Sequence, residues 1–245
     1  MKKLIFVYFA IIFLIGCLVP AAAAQGKKPK TKAKPVISLT SSGDEEVVFG
    51  LKDALSNGTN HASSELGKQG GFYSDPRVRL SMPPALQELE KKLRGLKYDD
   101  LVDDLVVSMN RAAEQSITES SFAVSDALRQ MTIQDPKKVL AGPKDAATQY
   151  FRRTSQTALL AKILPLVQTS MAENEVVAKF KVLVEKGGGV STPPGQKPFN
   201  LDEYIAQKTL DGMFVLIADQ EKRIREDPAA RTTAILQKVF GSNIK

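Results

Sequence analysis

The stretch LDGMFVLIADQEKRIREDPAARTTAILQKVFG (210–241) decides the fold. Met213 to Ala218 is apolar on every side, as expected of a helix buried in the middle of a bundle. Asp227-Pro228 then pairs an N-cap residue with a proline at the first helical position, predicting a last helix that ends at Phe240-Gly241. A helix that is apolar on every side must be surrounded by other helices.

The rest of the chain supplies them. Val48, Leu51, Leu55, Ala62 and Leu66 recur at helical spacing, with Gly67 as a stop and Asn57-Gly58 as a predicted kink or end. A breaker-rich loop runs from Lys68 to Met82, and Pro83-Pro84 opens a helix carrying Leu86, Leu89, Leu93 and Leu96. Asp99 to Glu114 gives one stripe of Leu101, Leu105, Val106, Met109 and Ala112, while Phe122, Leu128 and Met131 mark a further helix. Asp135-Pro136 opens a short helix closed by Gly142. Asp145 to Arg153 and Gln156 to Met171 read as two helices parted at Thr154-Ser155, with a kink expected at Pro165. Val176 to Lys186 fits helix or strand and is read as helix because no pairing partner lies nearby. Gly187 to Lys197 is a loop, and Asn200 with Glu203 makes a capping-box start. The expected fold is all-α, a single-domain multi-helix bundle of roughly eight to ten helices over 44–245.

The other end of the chain sets location. Lys2 and Lys3 precede an apolar run from Leu4 to Val19, Pro20 breaks it, and Ala22-Ala23-Ala24 offers a small-x-small cleavage site. Residues 1–24 are read as a secretory signal, which places the mature protein in the periplasm or cell envelope. Leu14-Ile15-Gly16-Cys17 also fits a lipobox, in which an acylated Cys17 would anchor the chain. Cys17 is the single cysteine, so the folded part has no disulfide and no thiol chemistry under either reading.

Charge argues against nucleic acid. The formal net charge is +7, but seven of the 34 basic residues lie before Pro35, where there is no Asp or Glu. The remainder balances 27 basic against 27 acidic residues, whereas a phosphate-backbone binder needs a net basic surface. The surplus sits in Lys27, Lys28, Lys30, Lys32 and Lys34, within a basic linker, 25–43, that lacks the apolar surface to order itself. It reads as a solvated tether, or as a weak contact with anionic membrane through Lys27–Lys34.

Six strings carry a resemblance: FGLKDALSNGT (49–59), GFYSDPRVRLSMPPAL (71–86), LVDDL with NRAAE (101–105 and 110–114), QMTI (130–133), GPKDAATQYFRRT (142–154) and the 210–241 stretch. Together they resemble the bacterial secreted family catalogued as domain of unknown function 4197, over roughly Phe49 to Gly241. The resemblance implies a helical envelope domain and brings no established activity.

Several chemistries lack their parts. His61 is the single histidine, and a zinc site needs three or four nitrogen or sulfur ligands. Ser-His-Asp and Cys-His systems fail in the same way, and no cofactor is expected. Asp99, Asp100, Asp103 and Asp104 read as a solvated, dipole-favoured helix start. The candidate site is 142–154. There Asp145, Thr148, Tyr150, Arg152 and Arg153 cluster beside an apolar stripe, either to hold an anionic group or as ordinary caps and salt bridges. Arg231 and Thr232 are candidates to join them. Two functions follow: a non-enzymatic domain binding a small ligand or envelope protein, or a carboxylate- and arginine-based hydrolase or lyase acting on an envelope component.

Overall fold

The computed structural model describes residues 42–190, 195 and 197–241, among which there are eight α-helices and no strand. The signal, Cys17 and the lysines of the linker lie outside the described residues. The helices are α1 (Ser42–Leu66), α2 (Gln87–Gly95), α3 (Asp99–Gln130), α4 (Pro136–Leu140), α5 (Ala146–Glu173), α6 (Val176–Gly187), α7 (Leu201–Glu226) and α8 (Ala234–Gly241). No described helix is long and apolar enough to cross a membrane.

Four long helices close a ring: α1 packs on α7, α7 on α5, α5 on α3 and α3 on α1. Inside it Leu51, Leu55, Leu105, Met109, Ile117, Phe151, Ile163, Leu210, Met213 and Ile217 are fully buried. Each such aliphatic side chain contributes about 1.5–3 kcal/mol through burial. Phe151 meets Phe214 edge to face, with ring centres 5.8 Å apart, tying α5 to α7. The shorter helices cover the outside: α6 lies on α3 and α2, α4 on α1 and α5, and α8 on α1.

Several boundaries differ from the sequence reading. Asp99–Glu114 and the segment marked by Phe122, Leu128 and Met131 are not two helices but one, α3, which runs unbroken to Gln130 because Ile117, Val124 and Leu128 carry its buried stripe onward, while Phe122 stands exposed. Asn57-Gly58 does not interrupt α1, because Gly58 is where α1 crosses α7. A Cβ there would lie 3.0 Å from the Ile217 Cα, so glycine is set by close approach and not by a turn. Thr154-Ser155 does not divide α5, since the Thr154 hydroxyl donates to the carbonyls of Tyr150 and Phe151 and stays within the helix. Asp227-Pro228 opens only the 3-10 turn Pro228–Ala230, where Asp227 accepts from the Ala229 amide at 2.9 Å. The last helix is capped instead by Thr233, whose Oγ1 accepts from the Leu236 amide at 3.3 Å. Asn200 does cap α7, accepting from the Glu203 amide at 3.1 Å. Leu96, placed by its spacing with the buried leucines, lies past the end of α2 and is exposed.

Gly58→Ala follows as a prediction. Alanine normally gains about 1 kcal/mol over glycine inside a helix. Here the methyl group meets rigid backbone, and overpacking of about 1–3 kcal/mol exceeds that gain. A net loss of stability of about 1 kcal/mol is expected in urea unfolding. A stabilised variant would show that α1 and α7 are not in close contact at this point.

Candidate functional site

The site is built around two buried carboxylates. Glu221 on α7 is fully buried, at a position where the helical period calls for an apolar residue between Ile217 and Ile224. Its carboxylate reaches the start of α5. Oε1 accepts from the Ala147 amide at 3.0 Å, and Oε2 accepts from the Thr148 amide and the Thr148 hydroxyl, both at 2.7 Å. These amides are among the four donors a helix start leaves unpaired, and the charge also faces the positive end of the α5 dipole. Arg225, one turn on, donates its Nε to Glu221 Oε1 at 2.9 Å. Its remaining nitrogens donate to the carbonyls of Leu140 and Val139 at the end of α4, at 2.6 and 3.3 Å. Glu221 and Arg225 thus join the end of α4, the start of α5 and the body of α7.

Glu114 does comparable work for the loop before α2. Oε1 accepts from the amides of Phe72 and Tyr73 at 3.1 and 3.2 Å, and Oε2 accepts from that of Gly70 at 3.1 Å. One turn earlier on α3, Asn110 copies a strand partner: Oδ1 accepts from the Leu80 amide at 2.9 Å and Nδ2 donates to the Leu80 carbonyl at 2.8 Å. The NRAAE string therefore encodes a clamp on the loop, whose Phe72 and Leu80 are fully buried.

The residues proposed from 142–154 are distributed around these elements. Thr148 is buried and turned onto Glu221. Asp145 occupies the N-cap position of α5 but makes no cap bond, since Glu221 has taken those amides. Its carboxylate accepts from the Gln149 side chain at 2.8 Å and lies 4.0 Å from Lys222. Tyr150 donates its hydroxyl to the Thr132 carbonyl at 2.9 Å, and Arg153 stacks over the Tyr150 ring. Arg152 turns the other way, pairing with Asp211 on α7 and lying over Phe214. Arg152 and Arg153 thus point to different neighbours. Arg231 is buried as well, donating to the Ile224 and Arg225 carbonyls at 2.9 and 3.0 Å, where it closes the end of α7. Of the four aspartates at the start of α3, Asp99 and Asp103 pair with Arg94 of α2. His61 lies on the exposed face of α1.

A groove of about 660 Å³ runs between α1, the last turns of α3 and the start of α8, lined by Phe49, Lys52, Asp53, Leu128, Arg129 and Ile235 among others. Phe49 is 65% exposed, and Phe122, one turn before Ser125 on the α3 wall, is 67% exposed. Sequence reasoning had no reason to join these residues, because each looks outward from its own helix.

The family model described as "Protein of unknown function (DUF4197)" matches residues 41–241, which takes in all eight helices. No curated protein and no solved structure matches the chain. With a match over most of its length, this chain belongs to the DUF4197 family of proteins of unknown function.

Proposed function

We propose that the chain is an exported cell-envelope protein whose helical domain binds a ligand or partner and catalyses no reaction. The groove between α1, α3 and α8 carries this reading: about 660 Å³ is the size of a small-molecule site, and the exposed Phe49 stands there with the half-buried Ile235 beside a few polar groups. The buried carboxylates add support. An acid–base enzyme needs a carboxylate within reach of substrate, whereas Glu114 and Glu221 spend both oxygens on groups of the protein itself. Export rests on Lys2-Lys3, the apolar run and Ala22–Ala24.

Native mass spectrometry of the protein purified from its own envelope tests the reading. Extra mass that leaves on denaturation is expected, and the denatured chain is expected to begin at Gln25. A bare chain that consumes an envelope component would overturn the binding reading. An acylated Cys17 at the N-terminus would replace the soluble form with an anchored one.

A further inference from the structure

We infer that the groove takes a free single-chain amphipathic carboxylate, its acid group on Lys52 and Arg129 and its chain along Phe49, Leu128 and Ile235. The inference rests on the binding reading above and names the ligand class for the same groove.

Lys52 carries the argument. It is half-buried at the groove wall, and its ammonium donates to the Arg129 carbonyl at 3.0 Å, in the last turn of α3. Among the described residues its one polar contact is this carbonyl, so two of its three N–H bonds have no protein acceptor. Burial also pulls its pKa below the ordinary lysine value, since the ammonium gives up part of its solvation at the groove wall.

Arg129 stands beside it, mostly exposed, with one contact of 3.2 Å to Asp126. That carboxylate is shared with Lys162 at 3.0 Å and with Gln130 at 2.9 Å, so it neutralises Arg129 only in part. Among the described lining residues the one acid, Asp53, faces the other wall, where it accepts from the Thr233 hydroxyl at 2.6 Å ahead of α8. The α3 side is therefore cationic and the floor apolar. A point charge and a guanidinium side by side suit a carboxylate. The exposed Phe49 ring, with Leu128 and Ile235, suits an alkyl chain that gains by leaving water.

The test is calorimetric titration of the full mature chain with sodium dodecanoate below its micelle concentration. One dodecanoate per chain is expected, with no binding of dodecyltrimethylammonium, which has the same tail and the opposite charge. Lys52→Met should weaken binding about tenfold or more, and Lys52→Arg should retain it. Phe49→Gln, at an exposed position where folding is not at stake, should also weaken it. Equal affinity for the two surfactants, an unchanged Lys52→Met, or no binding by the folded protein would overturn the inference. Capture of the protein only by dodecanoate-bearing vesicles, and not by the free acid, would assign the surface to a membrane and overturn it too. A native mass adduct of another class would sink this inference while leaving the binding reading intact.

Discussion

Glu221→Ala is expected to remove about 4 kcal/mol of folding stability, a large share of the roughly 5–15 kcal/mol that holds a domain folded. The substitution leaves the first amides of α5 without their acceptor and strands the Arg225 guanidinium, whose side chain is only 10% exposed. A buried cation without its carboxylate costs about 3–5 kcal/mol, and a water molecule in the cavity recovers only part of that. Glu221→Gln should cost less, about 2 kcal/mol, because one carbonyl oxygen can still accept while the charge toward Arg225 is lost. Arg225→Ala should also destabilise the fold. In the double variant the losses should fall short of additivity by on the order of 2 kcal/mol, since the second deletion removes the stranded charge. Denaturant unfolding followed by helical circular dichroism measures these differences. Hydrogen exchange at Ala147 and Thr148 should accelerate first. A loss below about 1 kcal/mol with unchanged exchange would show that α5 starts without help from α7.

The same carboxylate shows how far the sequence could be read. The helices of the ring were legible because their apolar positions keep a 3.6-residue period, as Leu51, Leu55, Ala62 and Leu66 do. The length of α3 was not, because after Glu114 the stripe turns to serine. Ser116 and Ser120 are nevertheless buried, and Ser116 returns its hydroxyl to the Ala113 carbonyl at 2.8 Å. A small hydroxyl residue such as Ser116, which satisfies itself on its own helix, can occupy a close helix contact, yet a hydropathy pattern counts it as surface. Glu221 and Glu114 did leave a signal, as charges at positions the period assigns to the core. Their partners left none. The helix start that Glu221 caps carries its own cap-like residue, Asp145, and local rules assign the task to the nearer side chain. The groove is a matter of tertiary packing, since Phe49, Lys52, Arg129 and Ile235 come from three helices that meet only in the folded chain.

Glu114→Ala should have an effect nearly as large, about 3 kcal/mol, and a different character. Glu221 joins helices, whereas Glu114 holds a segment with few bonds of its own: residues 67–83 run between α1 and the turn at Pro84 without regular secondary structure apart from turns. Three amides of that segment end on Glu114, and each orphaned amide costs about 1–3 kcal/mol unless water reaches it. Gly70 is only half-buried, so water rescues it most readily; the Phe72 amide, deeper in, is not so easily rescued. Phe72 cannot shift inward to compensate, because its ring already fills the space beside Gly212, where a Cβ would stand 2.6 Å from it. The segment should therefore lift outward before the bundle melts. Trypsin offers a local readout, since Arg77 and Arg79 lie in it and are exposed, with Arg77 held by Asp75 and Asp219. Glu114→Ala should be cut there at denaturant concentrations that leave the helices folded, while Glu114→Gln, with one oxygen still able to accept two amides, should be cut more slowly. Asn110→Ala should act in the same direction, through the two bonds to Leu80. If cleavage of Glu114→Ala tracks global unfolding in every case, the loop and the bundle melt as one unit, and the clamp is a core interaction like Glu221.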